Sequence, residues 1–288
     1  NEEISSEEQL NFISLLREHR EKRPTPVRDE KRLLSHNSLL ISAYIEAAIA
    51  LRDLNLLEDA IRLQNWMSFQ FLDKDNNLLS FAYPEKITTS RANLDDYCLW
   101  SLALLELHSV SSIIDNNKSI EYLEKAIFYA EKLLLIFQDP EASGFFFTEE
   151  DFNSPLPCRR KIWYDNSTPS GNSMALRIFS TLYNLTGDQK WEKEFHKILN
   201  PFSSLAKKVP DGISYAMSSI CDKELGFVSI DAPSVSPTAN LDFVSKLPPR
   251  PARIRFSKSL QTQFQVFINR RKKLSSSDSQ EVIKKLNS

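Results

Sequence analysis

Two short runs carry the residue types that could do chemistry. One is Asn93-Leu94-Asp95-Asp96-Tyr97 and the other is Pro169-Ser170-Gly171-Asn172-Ser173. Adjacent carboxylates suit general acid–base work when burial or a charged neighbour raises one pKa. Ser and Asn hydroxyl and amide groups suit recognition of a hydroxyl-rich or anionic ligand. A third polar set, Ser35-His36-Asn37-Ser38, and the run Arg159-Arg160-Lys161 upstream of Asp165 complete the inventory. Each has a structural alternative. Acids in a first helical turn favour the helix dipole, Asn37 and Asn172 can cap, and Arg159 or Lys161 can pair locally with Asp165. His108 and His196 fit no ligand spacing with each other, so no metal site is expected.

The elements that must position these residues are helical. The segments 33–51, 97–107 and 174–185 are apolar on nearly every face, as buried helices are. The segments 56–72, 119–137 and 189–208 alternate with them and are amphipathic. In the middle one, Ile120, Leu123, Ile127, Ala130 and Leu134 form a stripe opposite Glu121, Glu124, Lys125 and Glu131. A repeat of two helices every ~60–75 residues fits a helical array or toroid. The expected fold is all-α, a partial (α/α)6 toroid of about three hairpins, with short β excursions at 78–83 and 144–148 on one rim. Surface helices return the chain between inner ones, so all inner helices run the same way. Their polar N-termini then converge on one mouth. Residues 1–212 form this domain. Residues 213–288, rich in Pro and Ser and basic beyond Phe243, are expected to be a partly irregular extension.

Bulk properties narrow the function. The chain has 288 residues, a net charge of −2, 41% hydrophobic and 26% charged residues. Nucleic acid is therefore an unexpected partner for the whole chain. No run approaches the ~18 apolar residues of a membrane span. Three isolated cysteines and the absence of a basic, apolar leader point to a reduced, cytoplasmic setting. With five glycines and neither a GxGxxG nor a P-loop motif, no nucleotide cofactor is expected.

The runs "REKRPTPVRDEKRLLSHNSLLISA", "NLDDYCLWSLALLELH", "GFFFTEED" and "RRKIWYDNSTPSGNSMALRIFSTLYNLTGD" resemble the C-terminal half of the spermatogenesis-associated, thioredoxin-domain proteins. The resemblance spans Arg20 to Asp211. It implies an (α/α)6 toroid similar to N-acylglucosamine 2-epimerases and six-hairpin glycosidases, and epimerisation or hydrolysis of a sugar. On that basis Asp95 or Asp96 would be the acid/base. Arg159, Lys161 and Asp165 would orient the ligand, and Asn37, Tyr97, Ser170 and Asn172 would line its site. His36-Asn37-Ser38 departs from the family's Trp-Asn-Gly, and Asn166 stands where the family has glycine. Counterparts of the thioredoxin-like domain and of the first toroid half are not recognisable. A half toroid with several hundred Å² of uncovered apolar face forfeits on the order of 10 kcal/mol. A separate chain, self-association, or residues 213–288 acting as a lid would have to cover it. The alternative function is a non-catalytic interaction piece or complementing half.

Overall fold

A computed structural model describes residues 6–84, 90–150, 158–248, 252–257, 260 and 263–287. Residues 1–31 form one compact unit, whose helix α1 (Ser6–Glu21) has no buried residue. Residues 32–288 form the other.

That larger unit is built on three hairpins: α2 (Leu34–Leu51) with α3 (Leu54–Gln70), α4 (Leu94–Ser111) with α5 (Asn116–Phe137), and α6 (Gly171–Thr186) with α7 (Gln189–Leu205). Each return helix starts with an aspartate cap. Asp53, Asp115 and Asp188 each accept the N–H two residues on, satisfying one orphan donor of the first turn. In α4, 15 of 18 residues are buried, because it packs on α2, α5 and α6. Helices α5 and α7 bury one face only. The inner and outer ranks expected from the apolar pattern are thus present, with small β pairings at one end. Strand β1 (Arg32–Leu33) pairs antiparallel with β2 (Phe81–Ala82), and isolated bridges join Gln138 to Phe145 and Leu79 to Arg91.

The inner row extends further than the sequence suggested. Helix α8 (Ser214–Leu225) packs against α6 as a fourth inner helix. At the other edge stands α2, where Leu40 and Leu51 remain exposed. Contrary to the sequence expectation, α2 is long and apolar enough, among the described residues, to cross a membrane by length and composition alone. Here it is an edge stave that packs on α3 and α4.

Beyond α8 the described residues form strands and helices where a partly irregular extension was expected. Strand β3 (Val228–Pro233), helix α9 (Pro237–Ser245) and strand β4 (Ala252–Ser257) make a parallel crossover. The hairpin β5 (Phe264–Ile268) and β6 (Arg271–Ser276) adds to β3, giving the order β4-β3-β5-β6. Helix α10 (Ser279–Asn287) follows. The prolines that suggested irregularity act as punctuation: Pro233 ends β3 and Pro237 opens α9 after its Ser236 cap. The β5–β6 turn is two residues, Asn269 and Arg270, both at positive φ, the geometry of a tight hairpin. The guanidinium of Arg270 lies against Gly187 at the C-terminus of α6.

This C-terminal module closes on the helices. Ser112 Oγ donates to the Ile254 carbonyl (2.7 Å) and Asn116 Nδ2 donates to that of Phe256. Asn240 Nδ2 reaches the Ile113 carbonyl (3.4 Å), and Arg52 pairs with Asp242 (3.1 Å). Ile230, Ile254, Phe256 and Val266 join one continuous core with the helices. Phe256→Ala is expected to cost about 3–5 kcal/mol in urea denaturation, with one cooperative transition. Two separated transitions would mean that the sheet and the helices unfold independently.

Candidate functional site

The N-terminal ends of the inner helices meet at one rim, and a chain of carboxylates joins them. Helix α4 opens with a capping box: Asn93 Oδ1 accepts the Asp96 N–H and Asp96 Oδ2 accepts the Asn93 N–H, both at 3.1 Å. Ser80, and the side chain and N–H of Ser35 in the first turn of α2, also favour the charged form of the Asp96 carboxylate. Asp95 Oδ1 accepts the N–H of Gly171, the first residue of α6 (2.8 Å). Asp165 accepts the N–H of Ser170 (2.9 Å) on one oxygen and that of Tyr215, in the first turn of α8 (2.8 Å), on the other. Each gap between neighbouring staves, α2–α4, α4–α6 and α6–α8, is spanned by one aspartate. The four helices therefore run parallel.

The remaining rim residues also hold the chain. Asn172, fully buried, exchanges hydrogen bonds with the Phe145 backbone in both directions (2.8 and 3.0 Å) and donates to the Ile162 carbonyl (2.9 Å). The Ser170 hydroxyl caps α6 by accepting the Ser173 N–H (3.2 Å). Tyr97 OH accepts the Leu78 N–H (3.3 Å). Asn37 Nδ2 donates to the Leu33 carbonyl (2.7 Å). Arg159 donates to the carbonyls of Thr148 (2.7 and 2.9 Å) and Ile136 (3.2 Å). Lys161 pairs with Asp139 (2.6 Å) and donates to the Ser143 carbonyl (2.8 Å). Both cations lie over the Phe146 ring, at 4.1 and 5.1 Å from its centroid. Gly171 is required by space: a Cβ there would stand 2.5 Å from Leu94 Cγ and 2.7 Å from Asp95 Oδ1.

Asp95 differs from this set. Its second carboxylate oxygen has no hydrogen-bond partner among the described residues, and the side chain is only partly covered. Burial pushes its pKa up to about 6; the Gly171 N–H opposes the shift and the Asp96 charge adds to it. Burial also raises Asp96, against the hydrogen bonds it accepts. The rim thus offers one carboxyl able to exchange a proton near neutral pH.

A second polar set, missed in the sequence, lies further along the staves: Glu106 and His108 on α4 and Arg177 on α6, all lining one cavity of about 500 Å³. The signal was present as charged or titratable residues interrupting otherwise apolar inner helices.

No protein-family model matches the chain. Its sequence relatives include spermatogenesis-associated protein 20 of Homo sapiens, 26% identical over 199 residues, covering 66% of this chain and 25% of the relative. The Mus musculus protein aligns over the same length at 26%, covering 24% of that relative. The chain thus spans about a quarter of the length of the curated relatives it matches. Among solved structures, a GH76 α-mannanase of Bacteroides thetaiotaomicron superposes with a TM-score of 0.52 at 14% identity, covering 86% of this chain and 68% of that one. Cellobiose 2-epimerase of Bacillus thermoamylovorans gives 0.51 at 10% identity, covering 77% and 61%. The fold is that of the (α/α)6 toroid glycosidases and epimerases, present in part.

Asp95 yields a test of the rim electrostatics. Its raised pKa means that the folded chain holds the proton more tightly than the unfolded chain. That stabilisation is complete below the unfolded value of 3.8 and is lost as pH rises through about 6. Asp95→Asn keeps an acceptor for Gly171 and removes the charge. It is expected to be about 1–3 kcal/mol more stable than wild type near pH 7, the gap closing below about pH 4. Melting curves across that range check it; a variant less stable at neutral pH contradicts the assignment. Gly171→Ala should destabilise by about 1–3 kcal/mol through overpacking against Leu94, measured in the same melts.

Proposed function

We propose that the chain is part of a carbohydrate-active domain whose sugar ligand meets the N-terminal rim of the inner helices, with Asp95 as the proton-transferring group. One observation carries this reading: Asp95 is the rim carboxyl with an oxygen left over, in surroundings that hold its pKa near 6. Hydrolysis needs a proton delivered to a glycosidic oxygen. Epimerisation beside a carbonyl needs one removed and returned. A carboxyl titrating close to neutrality serves either. In this reading Asp96 holds the Asp95 turn in place and raises its pKa. Tyr97, Asp165, Ser170 and Asn172 fix the frame, while Asn37, Arg159 and Lys161 shape the mouth. Folds host many chemistries, so the sugar class rests on the mannanase and epimerase named among the structural neighbours. The rest of a ring would come from outside these 288 residues, whether from further residues of the same protein, a separate chain or a second copy. The three unpaired cysteines agree with a cytoplasmic setting.

The competing reading is a non-catalytic interaction half. It is favoured by the number of rim groups already committed to the chain's own backbone. Turnover assays on mannosides and cellobiose separate the two. Asp95→Asn is expected to lower kcat by about 10²-fold or more with little change in KM. Wild-type chain that neither binds nor turns over any of these sugars would favour the interaction half.

A further inference from the structure

The cavity between the helix row and the C-terminal module contains unmet hydrogen-bonding capacity of both kinds. Its volume of about 500 Å³ falls in the range of small-molecule sites, roughly 300–1,000 Å³. Aliphatic walls come from Ile45, Leu102 and Leu105 on one side and from Val244 and Leu247 on the other.

The polar groups are specific. His108 is buried, and its Nδ1 lies 2.7 Å from the Ser119 carbonyl. A carbonyl only accepts, so Nδ1 carries the proton and Nε2 presents a bare lone pair. Burial lowers the His108 pKa to about 4, against the Ser119 hydrogen bond and helped by the Arg253 charge, so the ring is neutral. Nε2 has no partner. The Oε2 of Glu106 is buried and unpartnered. Burial raises its pKa, with Ser42 opposing, Glu46 adding and Arg177 opposing. Arg177 spends Nη2 on Asp222 (2.6 Å) and Ser218 (3.1 Å), leaving Nε buried without an acceptor. Arg253 reaches its counter-ion Asp231 only at 4.0 Å, since Arg255 already holds that carboxylate through two bonds of 2.8 and 2.9 Å.

A buried polar atom without a partner costs about 1–3 kcal/mol, and three of them belong to residues that line this one cavity. They include an obligate acceptor, His108 Nε2, and an obligate donor, Arg177 Nε. A hydroxyl group answers both, because it donates and accepts. We propose that this cavity is a second binding site, independent of the rim. It takes a polyhydroxylated small molecule of mono- to disaccharide size, hydrogen-bonded by Glu106, His108, Arg177 and Arg253, its C–H faces against the aliphatic walls. The C-terminal module completes the site by supplying Arg253, Val244 and Leu247. The sequence resemblance does not reach that module.

Calorimetric titration of the chain tests it, with D-mannose and cellobiose as probes and benzyl alcohol as an aromatic comparison with a single hydroxyl. Wild type should bind one of the sugars saturably. Glu106→Gln and Arg253→Gln, each checked for folding by circular dichroism, should each weaken that binding about tenfold or more. Arg253 lies toward the module's edge, so its variant keeps the test sound if Glu106→Gln fails to fold. Absence of sugar binding to wild type, binding of benzyl alcohol alone, or sugar binding indifferent to both substitutions overturns the proposal. Sugar binding lost in Asp95→Asn but kept in Glu106→Gln also overturns it. That last result would place the ligand at the rim and uphold the reading given above.

Discussion

Four helices lying side by side in the same direction bring four positive dipole ends together, and something must offset them. Here it is carboxylate. Asp96, Asp95 and Asp165 sit in successive gaps: Asp96 is favoured in its charged form by the Ser35 N–H of α2, while Asp95 and Asp165 accept N–H groups of α6 and α8. Each N-terminus would otherwise leave four donors unsatisfied, beside a partial charge of roughly +0.5. One side chain per gap answers both needs and fixes the lateral register of the staves. The β pairings, the Asn172 bridge to Phe145 and the Arg159 and Lys161 clamps on Phe146 consolidate that end. These three acids tie the parallel inner row together at its N-terminal end.

The same anchoring limits what the rim can do with a ligand. A buried side chain that is tied into a capping box and faces the polar groups of Ser35 and Ser80, as Asp96 does, has little left to offer. Asp95 holds one bond and keeps one oxygen in reserve, at an energetic cost from partial burial. Groups left in such a compromise are where stability is commonly exchanged for function. The cavity shows the same compromise in another form, with buried polar atoms left without a partner on residues that line it.

Much of this was legible in the sequence. Helix α4 announces itself by a largely apolar run after Asn93 and the acids. The inner and outer ranks follow from which helices are apolar all round and which on one side. The density of small polar residues in Asp165–Ser173 was visible as well, although its main use is to fasten two helix starts rather than to face solvent. What could not be read was the destination of each bond: nothing local in Asp165 says that it reaches Tyr215, fifty positions on. The C-terminal sheet was hidden for a different reason. Its prolines and serines have the composition of a loop, and only the two-residue alternation of Val228, Ile230 and Ala232 betrays a strand. Glu106 and Arg177 lay in plain view as charges on buried helices, yet only packing shows that they line a common space.

The bond from Ser112 to the Ile254 carbonyl joins positions 142 residues apart. During synthesis at about 5–20 residues per second, the concave side of α4 would emerge on the order of ten seconds before the strand that covers it. For that interval an apolar surface stands open on the nascent chain, a natural object for a chaperone. Burial of that surface is therefore timed by the arrival of the β3–β6 sheet rather than by the rapid formation of the helices.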